Sequence, residues 1–507
     1  MLSGIPAADW ISHHADYAPS SLAAHDLASG RRFTYAEYSA RIDKAALWLA
    51  SAFGVRQGDR VAVLSHNDTD VFELQFACRR LGAIFLPLNW RLAVPELDFI
   101  CQDASPTVLV HGLEFAEEAA KVAELAGLPH TATLNNGGDS DYERGLAAAS
   151  GTLNPPDLDL NDVWTVMYTS GTTGRPKGAQ ITYRMCVFNA VHCCMSIGLT
   201  AQAKNLVLLP TFHTGGLNVY ANPTFHTGGC NVVMRSFDPA EFLEILSDKQ
   251  LCITHLLGVP TNFLMLAQQP GFMAADFSHI QSMGVGGAAA PEQLIKDYGA
   301  KGVKLQQGWG MTETGPLGLI LSGEMALEKV GSSGLAGMYV SLKICDPEGN
   351  EVPRGETGEL MIKAPTVMPG YWNREEVNKT IFDAEGYFHT GDAARQDEDG
   401  YYFIVDRWKD MFISGGENVY PAEVENAIYQ LDGVLENAVV GVPHEKWGEV
   451  GRAYVVLKAG ANLDEGAVID HCYDNLARYK VPKEVRFIGE LPHNATGKIL
   501  KHTLPRD

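Results

Sequence analysis

Eleven residues, Tyr168-Thr-Ser-Gly-Thr-Thr-Gly-Arg-Pro-Lys-Gly178, gather hydroxyls, glycines and cations directly after an apolar run. Glycines let consecutive backbone N–H groups converge on an anion, and hydroxyls donate to phosphate oxygens. Arg175 and Lys177 add neutralising charge. The order G-x-x-x-x-G-K-[ST] of a Walker A loop is not met, so this is a phosphate cradle of another kind. The bland alternative is a mobile surface loop, but a loop of this length leaving a buried strand is a common place for function. A second glycine segment, Gly284-Val-Gly-Gly-Ala-Ala-Ala-Pro291, satisfies the loose dinucleotide form G-x-G-x-x-A and so raises a nicotinamide-dependent enzyme as the runner-up. Against it, the acid expected about 20 residues further on to hold the ribose is missing, and Lys304 stands there.

Those segments need elements to hold them. Thr34 and Glu37 form a capping box before a helical pattern through Ile42, Ala45, Ala46, Leu49 and Phe53. The run Val61–Leu64 reads as a buried strand, and Asp68 or Thr69 caps a helix that ends at Gly82. A strand at Ile84–Leu86, a helix at Pro95–Cys101 and a strand at Thr107–Val110 follow, an alternation that implies a parallel α/β layer. Residues 136–162 read as a polar loop and linker. The α/β pattern resumes at Val163–Tyr168 and runs past Tyr298. From about 335 the short strand-like runs Val340–Cys345, Gly358–Lys363 and Tyr401–Val405 imply an antiparallel β subdomain. After Arg407 comes an α+β unit: a helix at Pro421–Leu431, strands at Glu436–Gly441 and Arg452–Leu457, a helix from Asp464, and a strand at Glu484–Ile488. The fold class is therefore α/β, a large N-terminal part (1–406) of stacked α/β layers plus a β subdomain, with a small C-terminal α+β domain (407–507). One heptad, Pro210-Thr-Phe-His-Thr-Gly-Gly216, recurs as Pro223–Gly229; a single recurrence is chance or local duplication, not a solenoid.

Composition narrows the class further. The 507 residues carry a formal net charge of −22, which argues against binding nucleic acid or anionic lipid by general charge. The nine cysteines show no C-x-x-C, so buried free thiols in a reducing, cytoplasmic setting are expected. The first twenty residues lack the pattern of a signal peptide, and apolar stretches such as Gly82–Leu88 fall far short of a membrane span. The sequence leaves the oligomeric state open; a homodimer is compatible with it.

Five segments, in order, resemble those of the adenylate-forming enzymes, which comprise acyl- and aryl-CoA ligases, luciferases and peptide-synthetase adenylation domains. They are the loop 168–178, Gly308-Trp-Gly-Met-Thr-Glu-Thr314, Tyr387-Phe-His-Thr-Gly-Asp392, Asp406-Arg-Trp-Lys-Asp410 with Ser414-Gly-Gly-Glu-Asn418, and Asn494-Ala-Thr-Gly-Lys498. The resemblance covers nearly the whole chain and, within the family, is to bacterial ligases of hydroxycinnamic acids. It implies that Thr169, Ser170, Gly171, Thr172, Thr173, Gly174 and Lys177 hold the ATP phosphates. It implies Glu313 as the Mg²⁺ ligand and Thr312 as the α-phosphate contact. Gly287, Ala288 and Ala289 would pack on adenine with Gly308, Trp309, Gly310 and Met311, Trp309 standing where the family has tyrosine. Asp392 and Arg407 would take the ribose, and His213 would line the acyl pocket; His226 has the same local sequence but no family role.

The implied reaction joins a carboxylic acid to ATP, giving an acyl-adenylate and pyrophosphate, and then passes the acyl group to coenzyme A. Lys498 would bridge acid and α-phosphate, and the C-terminal lid would swing about Lys409 for the second step. Ser414, Gly415, Gly416 and Glu417 would then line the pantetheine tunnel, with Trp447, Tyr479 and Lys483 toward the nucleotide of coenzyme A. The acyl walls would be Phe212, Gly215, Gly216, Val259, Pro260, Gly284, Gly286 and Pro316 beside the segments above. No Asp or Glu is among them, so an amino acid's ammonium lacks a partner; glycines on facing segments leave a flat apolar slot. Ferulate or p-coumarate is the expected acid, with medium-chain fatty acids second. A peptide-synthetase-type adenylation protein and a non-catalytic acyl-CoA-binding regulator are the other classes; a regulator would be expected to have lost Lys498 or Glu313, and both are present.

Overall fold

The computed structural model describes residues 4–169, 176–288, 290–407, 410–414, 417–493 and 499–506. Two α/β sheets make up the first part. The smaller has six strands in the order Thr131–Leu134, Val108–Gly112, Arg60–Leu64, Ile84–Pro87, Val163–Thr169 and Lys177–Thr182. All of its pairings are parallel except the last, an antiparallel hairpin. The capping signals work as read: Thr34 and Glu37 close a reciprocal capping box on Tyr35–Phe53, and Asp68 caps Thr69–Leu81, which ends at Gly82 with φ of 67°. The span 136–162 is not all loop. It holds a helix at Asp141–Ala148, started by the Ser140 side chain on the Glu143 N–H and anchored by buried Tyr142 and Leu146.

The larger sheet has nine strands, ordered Leu335–Ala336, Leu317–Leu321, Leu305–Gly310, Ser282–Val285, His255–Gly258, Lys204–Val207, Cys230–Val233, Leu22–Asp26 and Arg32–Thr34. Its central strands run parallel, and antiparallel strands close both edges. Helix Thr69–Leu81 lies between the sheets; its cap Asp68 and its buried Asp70 and Glu73 pair with Arg31, Arg41 and Arg235. Charges this buried persist only when paired, so the network fixes how the two layers meet.

The expected antiparallel subdomain is a four-stranded sheet of Ser341–Cys345, Gly358–Lys363, Phe388–Gln396 and Tyr402–Arg407. The C-terminal unit is a five-stranded sheet in which Gly448–Leu457 pairs on one side with Val434–His444, as a long hairpin, and on the other with Phe412–Ser414 and Glu484–Phe487. Helices Pro421–Tyr429 and Glu465–Asn475 pack on it around Val424, Ile428, Val468 and Cys472. All nine cysteines are free. No helix among the described residues is long and apolar enough to cross a membrane.

Candidate active site

The C-terminal ends of the parallel strands, the β subdomain and the C-terminal unit enclose one cavity of about 1960 Å³. Small-molecule pockets usually hold ~300–1,000 Å³, so there is room for a nucleotide and a second reactant. On one side the hairpin Val163–Thr169 with Lys177–Thr182 places Thr169 directly opposite Lys177, and both line the cavity. The intervening Ser170, Gly171, Thr172, Thr173 and Gly174 lie outside the described residues. Segment 370–372 docks on this hairpin through Gln180 N to Gly370 O (3.2 Å) and Trp372 N to Gly178 O (2.7 Å). That seats Tyr371, whose hydroxyl donates to Glu313 Oε1 at 2.8 Å while Thr169 Oγ1 donates to the same oxygen at 3.2 Å. The Lys177 ammonium lies 5.4 Å from the centre of the Tyr371 ring. Tyr371 was not foreseen, because a Gly-Tyr-Trp turn looks in sequence like any packed aromatic.

Glu313 sits in the single turn Thr312–Thr314 after strand Leu305–Gly310 and is almost wholly buried. The chain can double back there only with glycine at 310, since a Cβ would fall 1.5 Å from the Pro316 carbonyl oxygen. Trp309 points the other way along the strand, into the core, where Gly318 leaves space for its six-membered ring. Its Nε1–H donates to Asp392 Oδ2 at 2.7 Å. The nine-stranded sheet thereby orients the carboxylate of the four-stranded one, a link that a family tyrosine at 309 gave no reason to expect. Asp392 is also held by its own N–H on Thr390 Oγ1 at 3.1 Å, and Arg407 is its cross-strand neighbour.

His213 lies in the loop after strand Lys204–Val207. Buried Asn67 clamps that loop, donating to Leu209 O (3.0 Å) and Met234 O (3.1 Å) and accepting from Thr211 N (2.9 Å). The Gly215 N–H donates to His213 Nδ1 at 3.1 Å, so a neutral ring carries its proton on Nε2. Phe212, His213 and Gly215 line the cavity with Val259 and Pro260 from the next helix start. Gly284 on strand Ser282–Val285 and Gly286 just past its end, with Gly308 and Gly310 on the parallel neighbour, form the facing wall, closed by Met311, Thr312 and Pro316; Gly287 and Ala288 continue it. Ala289 is outside the described residues. Gly216 does not face this space, contrary to expectation. A Cβ on it would lie 2.3 Å from Pro210 O and 2.4 Å from Leu209 O, so its missing side chain makes room for backbone, not for ligand. Burial raises the Tyr220 phenol well above the ordinary tyrosine range, and its bond with Ser282 opposes this only in part, so Tyr220 stays protonated near neutral pH.

The residues expected around coenzyme A are not brought together. Ser414 is buried on strand Phe412–Ser414 opposite Gly448, Trp447 is exposed at the tip of the long hairpin, and Lys483 bonds the Tyr473 hydroxyl at 3.2 Å. None of these three lines the cavity, whereas Tyr479 does. Gly415, Gly416, Lys409, Lys498 and the side chains of Arg407 and Glu417 lie outside what is described. His493 and Ile499, the described residues on either side of 494–498, line the cavity.

The AMP-binding enzyme family matches residues 11–372, and its C-terminal domain matches residues 423–498. The chain belongs to the AMP-binding enzyme family. A feruloyl-CoA synthase of an Amycolatopsis species is 40% identical over 499 residues, covering 98% of each chain. A long-chain-fatty-acid–CoA ligase of Mycobacterium tuberculosis is 38% identical, over 93% of this chain and 92% of its own. Among solved structures, the o-succinylbenzoate coenzyme A synthetase of Bacillus subtilis, in complex with ATP and magnesium ion, superposes with a TM-score of 0.87 at 31% identity, over 98% of this chain and 99% of that one. The acids in these names differ widely, so family membership leaves the acid undecided and the question passes to the cavity of this chain.

Proposed function

We propose that this AMP-binding enzyme is an ATP-dependent, AMP-forming acid–CoA ligase of the cytosol, acting on a hydroxycinnamic acid such as ferulate or p-coumarate. The observation that carries the reading is that phosphate-side, ribose-side and acyl-side groups share one cavity: Thr169, Lys177 and Glu313; the Trp309–Asp392 pair; and His213 with the glycine slot. The feruloyl-CoA synthase relative supports the acid class. We take the boundary between a large N-terminal part and a mobile lid to be 406/407, with Lys409 as the hinge.

In the first half-reaction the acid's carboxylate attacks the α-phosphorus of ATP, the α–β bridging bond breaks, and pyrophosphate leaves. Both reactants are anionic, so the protein's work is mainly charge management. Lys177 and the hydroxyls of 169–173 hold the leaving phosphates, and Asp392, steadied by Trp309, accepts from the ribose hydroxyls. Thr312 contacts the α-phosphate and His213 closes the acyl side. Glu313 with the Thr169 and Tyr371 hydroxyls offers only hard oxygen atoms, which fits Mg²⁺ held by one carboxylate plus nucleotide phosphates. When bound, that ion supplies positive charge to the leaving pyrophosphate. Lys498 neutralises the reacting carboxylate and α-phosphate; the described residues on either side of 494–498, His493 and Ile499, line the cavity. In the second half-reaction the thiol of coenzyme A displaces AMP from the adenylate. Ser414, Trp447 and Lys483 lie away from the cavity in the present arrangement, so their use requires the lid to turn.

The test is pyrophosphate release from a panel of carboxylic acids with and without coenzyme A, run on the wild type and on Lys498→Ala. Loss of one preorganised charge contact lowers the first step by about 10²–10³. Thioester formation from supplied acyl-adenylate should be largely retained. Equal loss in both half-reactions overturns the two-state lid. Lys409→Pro, with φ fixed near −65°, should instead spare adenylation and slow thioester formation.

A further inference from the structure

Resting on the ligase reading, we propose that Tyr220, Ser282 and Gln306 form a hydrogen-bond relay at the deep end of the acyl slot. The relay reads a hydroxyl on the aromatic ring of the acid. Alternate residues of a strand share a face, so Ser282 lies on the face of Gly284 and Gly286, and Gln306 on that of Gly308 and Gly310. The glycine ends of these strands adjoin Met311–Glu313, where the phosphates belong. The polar residues stand at the opposite ends, four positions or about 13 Å from Gly310 at a strand rise of about 3.3 Å. Between them the walls are apolar: Ile197, Val219, Leu257, Leu317 and Ile320. Three polar side chains in contact at the far end of an apolar slot need a reason.

Their donor order can be worked out. Ser282 Oγ donates to Gln306 Oε1, an amide oxygen that can only accept. The Gln306 amide faces the right way for this, because its Nε2 lies 3.5 Å from the Ser196 carbonyl, which needs a donor. With its own proton committed, Ser282 can only accept from Tyr220, whose hydroxyl is 3.1 Å away. The relay therefore runs Tyr220 to Ser282 to Gln306, and the Tyr220 oxygen keeps free lone pairs. Tyr220 and Gln306 both line the cavity. The hydroxyl sits over the slot face of Gly284, where a Cβ would lie 2.6 Å from it.

An acceptor at the end of an apolar slot selects a donor. A phenolic O–H reaches the Tyr220 oxygen, and an ether oxygen beside it can accept the second Gln306 Nε2 proton. An alkyl chain or a bare ring would leave the Tyr220 lone pairs and the second Gln306 Nε2 proton unmatched, and sites built to bond a hydroxyl reject analogues that lack it. The relay thus favours hydroxylated aryl acids over cinnamate and over fatty acids of similar length.

The experiment measures kcat/KM for pyrophosphate release with p-coumarate, cinnamate, 4-methoxycinnamate and octanoate, in the wild type, Tyr220→Phe and Ser282→Ala. The wild type should prefer p-coumarate to cinnamate by at least about tenfold. Tyr220→Phe should bring that ratio within about threefold of one. Ser282→Ala frees the Tyr220 proton to donate, so the ratio of 4-methoxycinnamate to p-coumarate should rise several-fold; this readout also serves if Tyr220→Phe fails to fold. Parallel loss with every acid, leaving the ratios unmoved, reduces the relay to a packing feature and overturns the proposal. A wild-type ratio near one also overturns it while leaving the ligase reading intact. No pyrophosphate release with any acid overturns the ligase reading itself.

Discussion

The heptad Pro-Thr-Phe-His-Thr-Gly-Gly occurs at 210–216 and 223–229, and the two copies fold differently. The first leaves strand Lys204–Val207 as a turn and leads into a helical segment at Gly215–Val219, so its glycines open a helix. The second lies within helix Ala221–Thr227, and its Gly228, with φ of 84°, ends that helix before strand Cys230–Val233. Pro223 is tolerated because it falls in the first turn, where the missing N–H has no intrahelical partner to lose. Phe212 lines the cavity, whereas Phe225 is wholly buried among Tyr38, Phe72 and Phe76. His213 lines the cavity; His226 stands edge-on to Trp10 with ring centres 5.1 Å apart. Identical side chains thus serve the site in one copy and the core in the other, and the flanking elements decide which. One substitution made in both copies should separate the two roles.

The largest contrast is expected for histidine to phenylalanine. His213→Phe removes the imidazole that lines the acyl side of the cavity and should lower kcat/KM for pyrophosphate release by about 10²-fold, the low end of the scale for a positioned acid–base group. Its melting temperature should stay within a few degrees of the wild type. His226→Phe should leave turnover within about twofold, because its ring packs edge-on to Trp10 and is not among the residues lining the cavity. Comparable kinetic losses in both variants would falsify the division of roles.

A smaller contrast lies in pH. Burial, with lesser help from His14 and His13, lowers the pKa of His226 to about 4. The folded value is below the unfolded one of about 6.5, so the group's contribution is fully present above pH 6.5 and is lost as pH falls toward 4. Between pH 7 and pH 5 that loss is about 2 kcal/mol, since the unfolded chain takes up a proton that the fold refuses. His226→Phe removes the term, and its stability should fall less steeply over this interval in paired urea titrations. Parallel curves for wild type and variant would show that the ring charges without penalty.

These contrasts mark what sequence can and cannot disclose. Local signals were legible where a few adjacent residues settle the outcome: the Thr34–Glu37 capping box, the Asp68 cap, the Gly82 terminus and the antiparallel runs after 335. The helix Asp141–Ala148 escaped notice because its polar surroundings read as linker, although Ser140 three residues before Glu143 was its signal. Gly216 was read as a wall of the acyl slot, but the space its missing side chain leaves is taken by the Pro210 and Leu209 carbonyls, and sequence does not say which neighbour takes the room. The Trp309–Asp392 bond spans 83 positions, and the Tyr220–Ser282–Gln306 relay joins three separate elements. Such pairings are made by sheet order and strand register, and single motifs carry neither.

The smallest contrast is at the sixth position of the heptad, where glycine is optional in one copy and required in the other. Gly215 has no positive φ, and a Cβ there would stand 3.3 Å from both His213 Nδ1 and Leu209 Cδ1, a tight fit to side-chain atoms that can shift. Alanine also favours helical backbone by up to about 1 kcal/mol over glycine, which offsets the squeeze. Gly215→Ala should therefore change unfolding free energy by less than about 0.5 kcal/mol. Gly228 holds φ of 84°, and its Cβ would lie 2.8 Å from the His14 ring. An L side chain in that left-handed region is strained by about 1–2 kcal/mol, so Gly228→Ala should destabilise by at least about 1 kcal/mol. Urea titration of the two variants at pH 7 reads the difference directly. Equal shifts would mean that the backbone at 228 can relax out of its left-handed turn, and that the second copy is less committed to ending its helix than its geometry implies.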